Sequence, residues 1–423
     1  MPGNPMLDRL TRSELTVVGR ELMLAAHLQD RASIPALLRR HPMEEANELA
    51  IEEWMTSSPV YTARMQRLLG FAGSDVGTIF KGLQLDVGMS HQFLDCGYEL
   101  HDAERGEFWL RSCGALADVR PMGHEMVQGM CVDIEDPTFD ATAVATNARA
   151  QMRAFHRPPA VPHGGPDCHW EVTIDESRAP VLQHPHLVDV AESKLANLPN
   201  AVGPSAEPGG WNDYTRSFDP HFELEDLSHG ALVAVAREFA IQGHILARAM
   251  MLAVERRFGR EEAVEIGRTL FTGIGWIAAE RMRLAVATDT DTDTDTGTGP
   301  APLDRVLPLV HLLLPTDYLG LTIASGGDGS VTIEIDPDAP ALHEGDPFSL
   351  AGLLELGAIE ILEAIARGVD ARAEVTAEPQ ESRRSWTITI PVEGSTHREP
   401  PDVRMVRFST GPATVFIRRK PLR

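Results

Sequence analysis

Apolar residues recur at helical spacing through 228–257 and again through 260–286, where Glu261 and Glu262 suit a first helical turn. Two extended stretches follow, YLGLTIAS (318–325) and GSVTIEID (329–336), and the second alternates apolar with polar residues as a half-buried strand does. SLAGLLELGAIEILEAIARGV (349–369) returns to helical spacing, and a tryptophan-bearing stretch, WTITI (386–390), ends the series. The N-terminal half shows the same succession, with FLDCGYELHD (93–102) and GEFWLRSC (106–113) as its first extended pair and WEVTI (170–174) as its last strand. The order helices, hairpin, helix, hairpin predicts an α+β fold with antiparallel sheets.

The two halves are also similar residue by residue. At an offset of 217, the segment Leu10 to Met65 aligns without a gap and matches at 17 of 56 positions. Chance at ordinary residue frequencies gives about three or four. The matches pair Arg20-Glu21 with Arg237-Glu238, His27 with His244, Arg31 with Arg248, and Glu44-Glu45-Ala46 with Glu261-Glu262-Ala263. At 223, Gly106 falls on Gly329 and Ala148-Arg149-Ala150 on Ala371-Arg372-Ala373; at 216, WEVTI falls on WTITI. The chain therefore reads as a tandem duplication folded as a pseudo-dimer. Copy one is expected over 1–196 and copy two over 221–395, joined by a Pro/Gly-rich linker, 197–220. Within copy two, the low-complexity stretch 287–302 is expected to be a disordered insert. The basic end, 396–423, reads as a β-hairpin turning at Ser409-Thr410-Gly411-Pro412.

Composition narrows the partners. A formal charge of -24 over 423 residues argues against nucleic acid, which needs a basic face. No run approaches 18 apolar residues, so no membrane span is expected, and the opening MPGNPMLDRLTRSEL has no apolar signal core. Four cysteines in so long a chain do not make a disulfide scaffold, which points to a cytoplasmic location with free thiols. The expected partner is a small molecule, with self-association into a homo-oligomer as an option.

The chemistry concentrates in RSCGALADVRPMGHEMVQGMC (111–131) and the later Cys168-His169. Copy two serves as an internal control. Cys113 falls on Asp336, Asp118 on Ala341, His124 on Pro347, Cys131 on Leu354, and Cys168-His169 on Arg384-Ser385. Joint loss of every thiol and of the imidazoles near them fits a site present in one copy only. Three thiolates and an imidazole, Cys113, Cys131, Cys168 and His124, match the first shell of zinc or another transition metal. Alternatively one cysteine is a nucleophile, with His124, His169 or His156 as acid/base and Asp118 or Asp133 orienting the imidazole. The third option is small buried thiols without a chemical role. Phosphate loops, HExxH and GxSxG patterns are missing from the sequence.

The element order resembles the small-molecule-binding domain named after bacteriochlorophyll 4-vinyl reductase, also found in phenol-sensing regulators. That resemblance implies two such domains paired through their helices. The run CGALADVRPMGHEMVQGMCVDIE with the later DCHWEV is similar to the L-2-amino-thiazoline-4-carboxylate hydrolase family. It places that family's motif on Cys113, on Cys131 with Asp133, and on Cys168, and implies a hydrolase acting on the C–N bonds of a small heterocycle.

Overall fold

The computed structural model describes residues 5–160, 164–287, 303–378, 384–411 and 421–422. The expected disordered insert lies, apart from Ala287, outside them. The N-terminal half opens with three helices, α1 (Arg12–Leu28), α2 (Asp30–Leu38) and α3 (Met43–Leu68), followed by α4 (Val76–Leu83). A capping box between Thr11 and Glu14 starts α1. Strands β1 (Leu94–Leu100) and β2 (Arg105–Cys113) come next, then α5 (Gly114–Val119), α6 (His124–Gln128), a π-helical turn (Gly129–Ile134) and α7 (Glu135–Val144). Strands β3 (Ala150–His156) and β4 (Cys168–Ile174) and a short α8 (Leu187–Ala191) complete this half.

The C-terminal half has two long helices, α9 (His229–Phe258) and α10 (Arg260–Ala287), separated by Gly259 at φ +93°. Two short helices, α11 (Leu303–Val306) and α12 (Thr316–Leu319), lead into β5 (Leu321–Ser325) and β6 (Val331–Ile335). Helices α13 (Leu350–Glu355) and α14 (Ile359–Val369), strands β7 (Glu374–Glu378) and β8 (Arg384–Thr389), and a last helix α15 (Pro401–Thr410) follow. Each half carries one four-stranded antiparallel sheet, and the orders, β1-β2-β4-β3 and β5-β6-β8-β7, are the same. The fold is α+β, as the patterning predicts. Among the described residues no helix is long and apolar enough to cross a membrane.

One hydrophobic core serves both halves, running from Leu7 to Val406. Its centre is helical: α1 and α3 pack on α9, and α10 packs on α1, α2 and α14. Several contacts at this centre are reciprocal at the offset of 217. Arg64 Nε and Nη2 pair with Glu238 at 2.6 and 2.9 Å, while Arg281 Nε and Nη2 pair with Glu21 at 2.6 and 2.9 Å. Glu21 and Glu238 are offset partners, as are Arg64 and Arg281. Ala26 faces its own offset partner, Gly243, so closely that a Cβ on Gly243 would lie 2.9 Å from that of Ala26. The Arg–Glu contact thus recurs with the two halves exchanged.

Two further segments differ from their simplest sequence reading. The Pro/Gly-rich stretch 197–220 contains neither helix nor strand but buries Trp211 and Tyr214, and Trp211 forms an isolated bridge with Leu227. The expected C-terminal hairpin is corrected over 401–410, which is helical. Pro401 sits at the first helical position, where its missing N–H costs nothing, and Val403 and Val406 share the buried face at a helical spacing. Residues 412–420 of that expected hairpin lie outside the described residues. Helix α15 returns to the N-terminal half and packs against α2 and α5 as well as α10. Arg407 ties it to α10 by pairing with Glu280, and to the segment before it by pairing with Glu399.

Candidate functional site: a cavity in the N-terminal half

Strand alternation decides where the predicted residues face. In β4, Cys168, Trp170 and Val172 point into the core, where Trp170 stacks on Phe108 and meets Phe139 edge-on. His169 must then point to the opposite face. There its Nε2 and that of His101 each lie 2.9 Å from one oxygen of Glu107, which holds the Glu107 carboxyl below the usual range. Adjacent in sequence, Cys168 and His169 are on opposite sides of the sheet, so they do not act as a unit. His124, the first residue of α6, is exposed and lines a surface groove with Asp133. Neither borders the cavity described below.

The three thiols take structural positions. Cys113 caps α5, its Sγ accepting a hydrogen bond from the Leu116 N–H at 3.3 Å. Cys131 is buried with Leu116, Val119 and Val127, and Cys168 lies in the main core. They remain close enough that Cys113 contributes to raising both other thiols. Burial pushes all three up, and Glu135 adds to it in each case; Cys113 reaches about 12. At neutral pH such groups are thiols, not thiolates, and lack the nucleophile's charge. Among the described residues no group of three or more His, Cys, Asp or Glu side chains is gathered to hold a metal ion. Cys113, Cys131, Cys168 and His124 are not gathered into such a group, and no step below uses a metal. Iodoacetamide at pH 7.4 should leave Cys113, Cys131 and Cys168 unmodified in the folded protein and label them after unfolding. Rapid labelling of any of them in the folded state, read by peptide mass spectrometry, would contradict their protonation and burial.

The structure instead assembles a cavity of about 400 Å³ between α2 and α3 on one side and the segment from α5 to the π-helical turn on the other. Ile34, Leu38, Ala50 and Trp54 form the first wall; Met122, Met126, Met130 and Ile134 form the second; Met405 and Phe408 of α15 stand at the mouth. The π-helical turn brings Met130 and Ile134 to the wall because it lies tight against α3. A Cβ on Gly129 would come within 2.9 Å of Asn47 Nδ2. Single π-helical turns of this kind are frequent at functional sites. A second chamber of about 100 Å³ shares Asp30, Arg31, Trp54, Met130 and Ile134 with the first and reaches His27, Asp86, Cys113 and Glu135.

Where the chambers meet, charged groups are buried together. Arg31 Nη1 donates to Asp30 at 2.7 Å and its Nε to Asp118 at 3.1 Å. Asp118, expected to orient an imidazole, orients this guanidinium instead. Among the described residues its second oxygen, Oδ1, has no hydrogen-bond partner, nor does Oε2 of Glu53 nearby. Burial raises the Asp30 carboxyl and lifts that of Glu53 well above its usual range, Asp30 adding to the latter. His27 donates its Nδ1–H to the Val87 carbonyl at 3.0 Å, and burial followed by the Arg31 charge lowers it to about 3, so it is neutral with an unpartnered Nε2. In the inner chamber burial takes Asp86 to about 6 and Glu135 to about 8.

Glu135 gives a stability signature. A carboxyl whose folded value exceeds its unfolded one binds its proton more tightly when folded, so its contribution is complete below about pH 4.5 and is lost as pH rises towards 8. Glu135→Gln should therefore show a smaller fall in urea midpoint between pH 5 and pH 8 than the parent protein. An equal fall would mean that Glu135 is not the titrating group.

Sequence reasoning passed over Asp30, Arg31, Glu53 and Trp54, although the signal was present. At the offset of 217, Asp30 falls on Ala247 and Glu53 on Leu270. Two acids embedded in helices of the first half are replaced by apolar residues in the second. The retained arginine, Arg248, is bound there by Asp346 at 2.7 and 2.8 Å.

The fold and the cavity together define an α+β protein with an apolar cavity, walled by the N-terminal half and α15, and a buried ionic cluster at its inner end. No family model, curated protein or solved structure matches the chain.

Proposed function

We propose that this protein binds a small organic molecule in the cavity of its N-terminal half, and that the C-terminal half is a duplicated unit that supports the fold without a ligand site of the same kind. The observation that carries the reading is the cavity itself: about 400 Å³, lined by aliphatic, methionine and tryptophan side chains, with a few convergent buried polar groups at one end. That combination is the usual form of a small-molecule site. The reciprocal pairs Arg64–Glu238 and Arg281–Glu21 support the duplication, and the replacement of Asp30 and Glu53 by Ala247 and Leu270 supports a site in one half alone.

Hydrolysis is not part of the proposal. The thiols are held protonated, and His124 and His169 stand outside the cavity. The test is a thermal-unfolding screen against small aromatic and aliphatic molecules, with each hit recovered after incubation. A ligand present at 100 times its Kd adds about 2.7 kcal/mol to stability. The expected result is a rise in Tm with compounds that fill the cavity, and their recovery unchanged. A screen without a shift, or a hit that is converted, would count against a binding role.

A further inference from the structure

We propose that the ligand of this cavity is an organic cation: an apolar body carrying a protonated amine, with the ammonium group held between Asp118 and Asp30 and the body lying against Trp54 and the methionines. The inference rests on the small-molecule reading above and adds the chemical class of the ligand. Three independent features support it.

The first is charge. Asp30 and Asp118 face the larger chamber, and Asp86 and Glu135 face the smaller one. Against these four carboxyls stand two guanidiniums. Arg31 is committed to Asp30 and Asp118, and Arg39, at the rim, pairs with Asp402 at 3.3 Å. His27 is neutral, and Glu53 adds a fifth carboxyl beside Asp30. A carboxylate or phosphate ligand would find only Arg31 and Arg39 to meet it, and both are already paired with carboxylates.

The second is hydrogen bonding. The buried atoms left without partners at the cavity are acceptors: Asp118 Oδ1 on a residue 3% exposed, and His27 Nε2 on a residue 6% exposed. The hydroxyls of Thr138 and Thr142 do not compete as donors, because they donate to the carbonyls of Ile134 and Thr138 at 2.8 and 3.0 Å. Buried acceptors without donors are costly, and an ammonium group brings three donors and no acceptor. The third feature is the wall. Trp54 borders both chambers, and an indole face is the strongest aromatic partner for a cation.

Burial lifts Asp30, Asp86 and Glu135 above their usual range. A bound cation favours their ionised forms, so binding should release protons and tighten as pH rises from 5.5 to 8.

The test is calorimetric titration of the full-length protein with three probes that share one body: 4-phenylbutylamine, 4-phenylbutan-1-ol and 4-phenylbutyrate. The amine is expected to bind at least tenfold tighter than the alcohol, with the carboxylate weakest. Its affinity should rise with pH and release protons, measured in two buffers of different ionisation enthalpy, while the alcohol's stays level. Asp118→Asn should bring the amine to within threefold of the alcohol. The parent-protein series decides the matter by itself where that variant does not fold. Equal or tighter binding of the alcohol or the carboxylate would overturn the cation while leaving the small-molecule reading intact. Failure of all three probes to bind would overturn both.

Discussion

Arg64→Ala should lower the unfolding free energy by about 3–5 kcal/mol, the range for breaking a buried ion pair from one side. Arg64 and Glu238 are each 1% exposed in their side chains, and the guanidinium also donates to the carbonyls of Ala196 and Leu198 at 2.9 and 2.8 Å. Removing it leaves the Glu238 carboxylate in the common core with no cation, and takes a buried donor from two carbonyls. The attraction within the pair is not the source of the effect; the stranded charge is. A paired Arg64→Met, Glu238→Leu replacement should accordingly recover most of the loss. Urea midpoints of the three proteins measure this. An alanine variant that unfolds at the parental midpoint would mean that the two halves are not held through this contact.

Ala50→Phe should abolish ligand binding with little effect on the fold. Ala50 is 5% exposed and lies on the α3 wall, so a phenyl ring added there occupies the space of about 400 Å³ that a ligand needs. Filling an existing void avoids the strain of overpacking a closed core. The expected loss is at least about 100-fold in affinity, equivalent to about 3 kcal/mol, with Tm changed by no more than a few degrees. Unchanged binding in calorimetry would place the ligand elsewhere.

The periodicity of apolar residues was enough to find both long C-terminal helices and both sheets, because each strand is half-buried and each long helix turns one face to the core. It also located Cys113 at a strand end, Cys131 in the following helical segment and Cys168 at the start of β4. It did not say what these thiols touch. Cys113 caps a helix and Cys131 fills a small apolar cluster, roles that need no charge. Comparison of the halves was applied to the thiols and imidazoles and not to the helix-borne acids. Cysteines and histidines drew notice as chemical side chains, while Asp30 and Glu53, single acids within helical segments, carry no such mark in the sequence. Only the packing of α2 and α3 shows that they are inside. The C-terminal helix was misread because Ser409-Thr410-Gly411-Pro412 suggests a turn, whereas Val403 and Val406 anchor a helix to a surface the sequence does not display.

The most direct test of a ligand site confined to the N-terminal half is the stoichiometry of binding. Calorimetric titration with a probe that fills the cavity, 4-phenylbutylamine, should saturate at one molecule per chain and fall to none in Ala50→Phe. Saturation at two per chain, or binding that survives Ala50→Phe, would contradict a site confined to the N-terminal half.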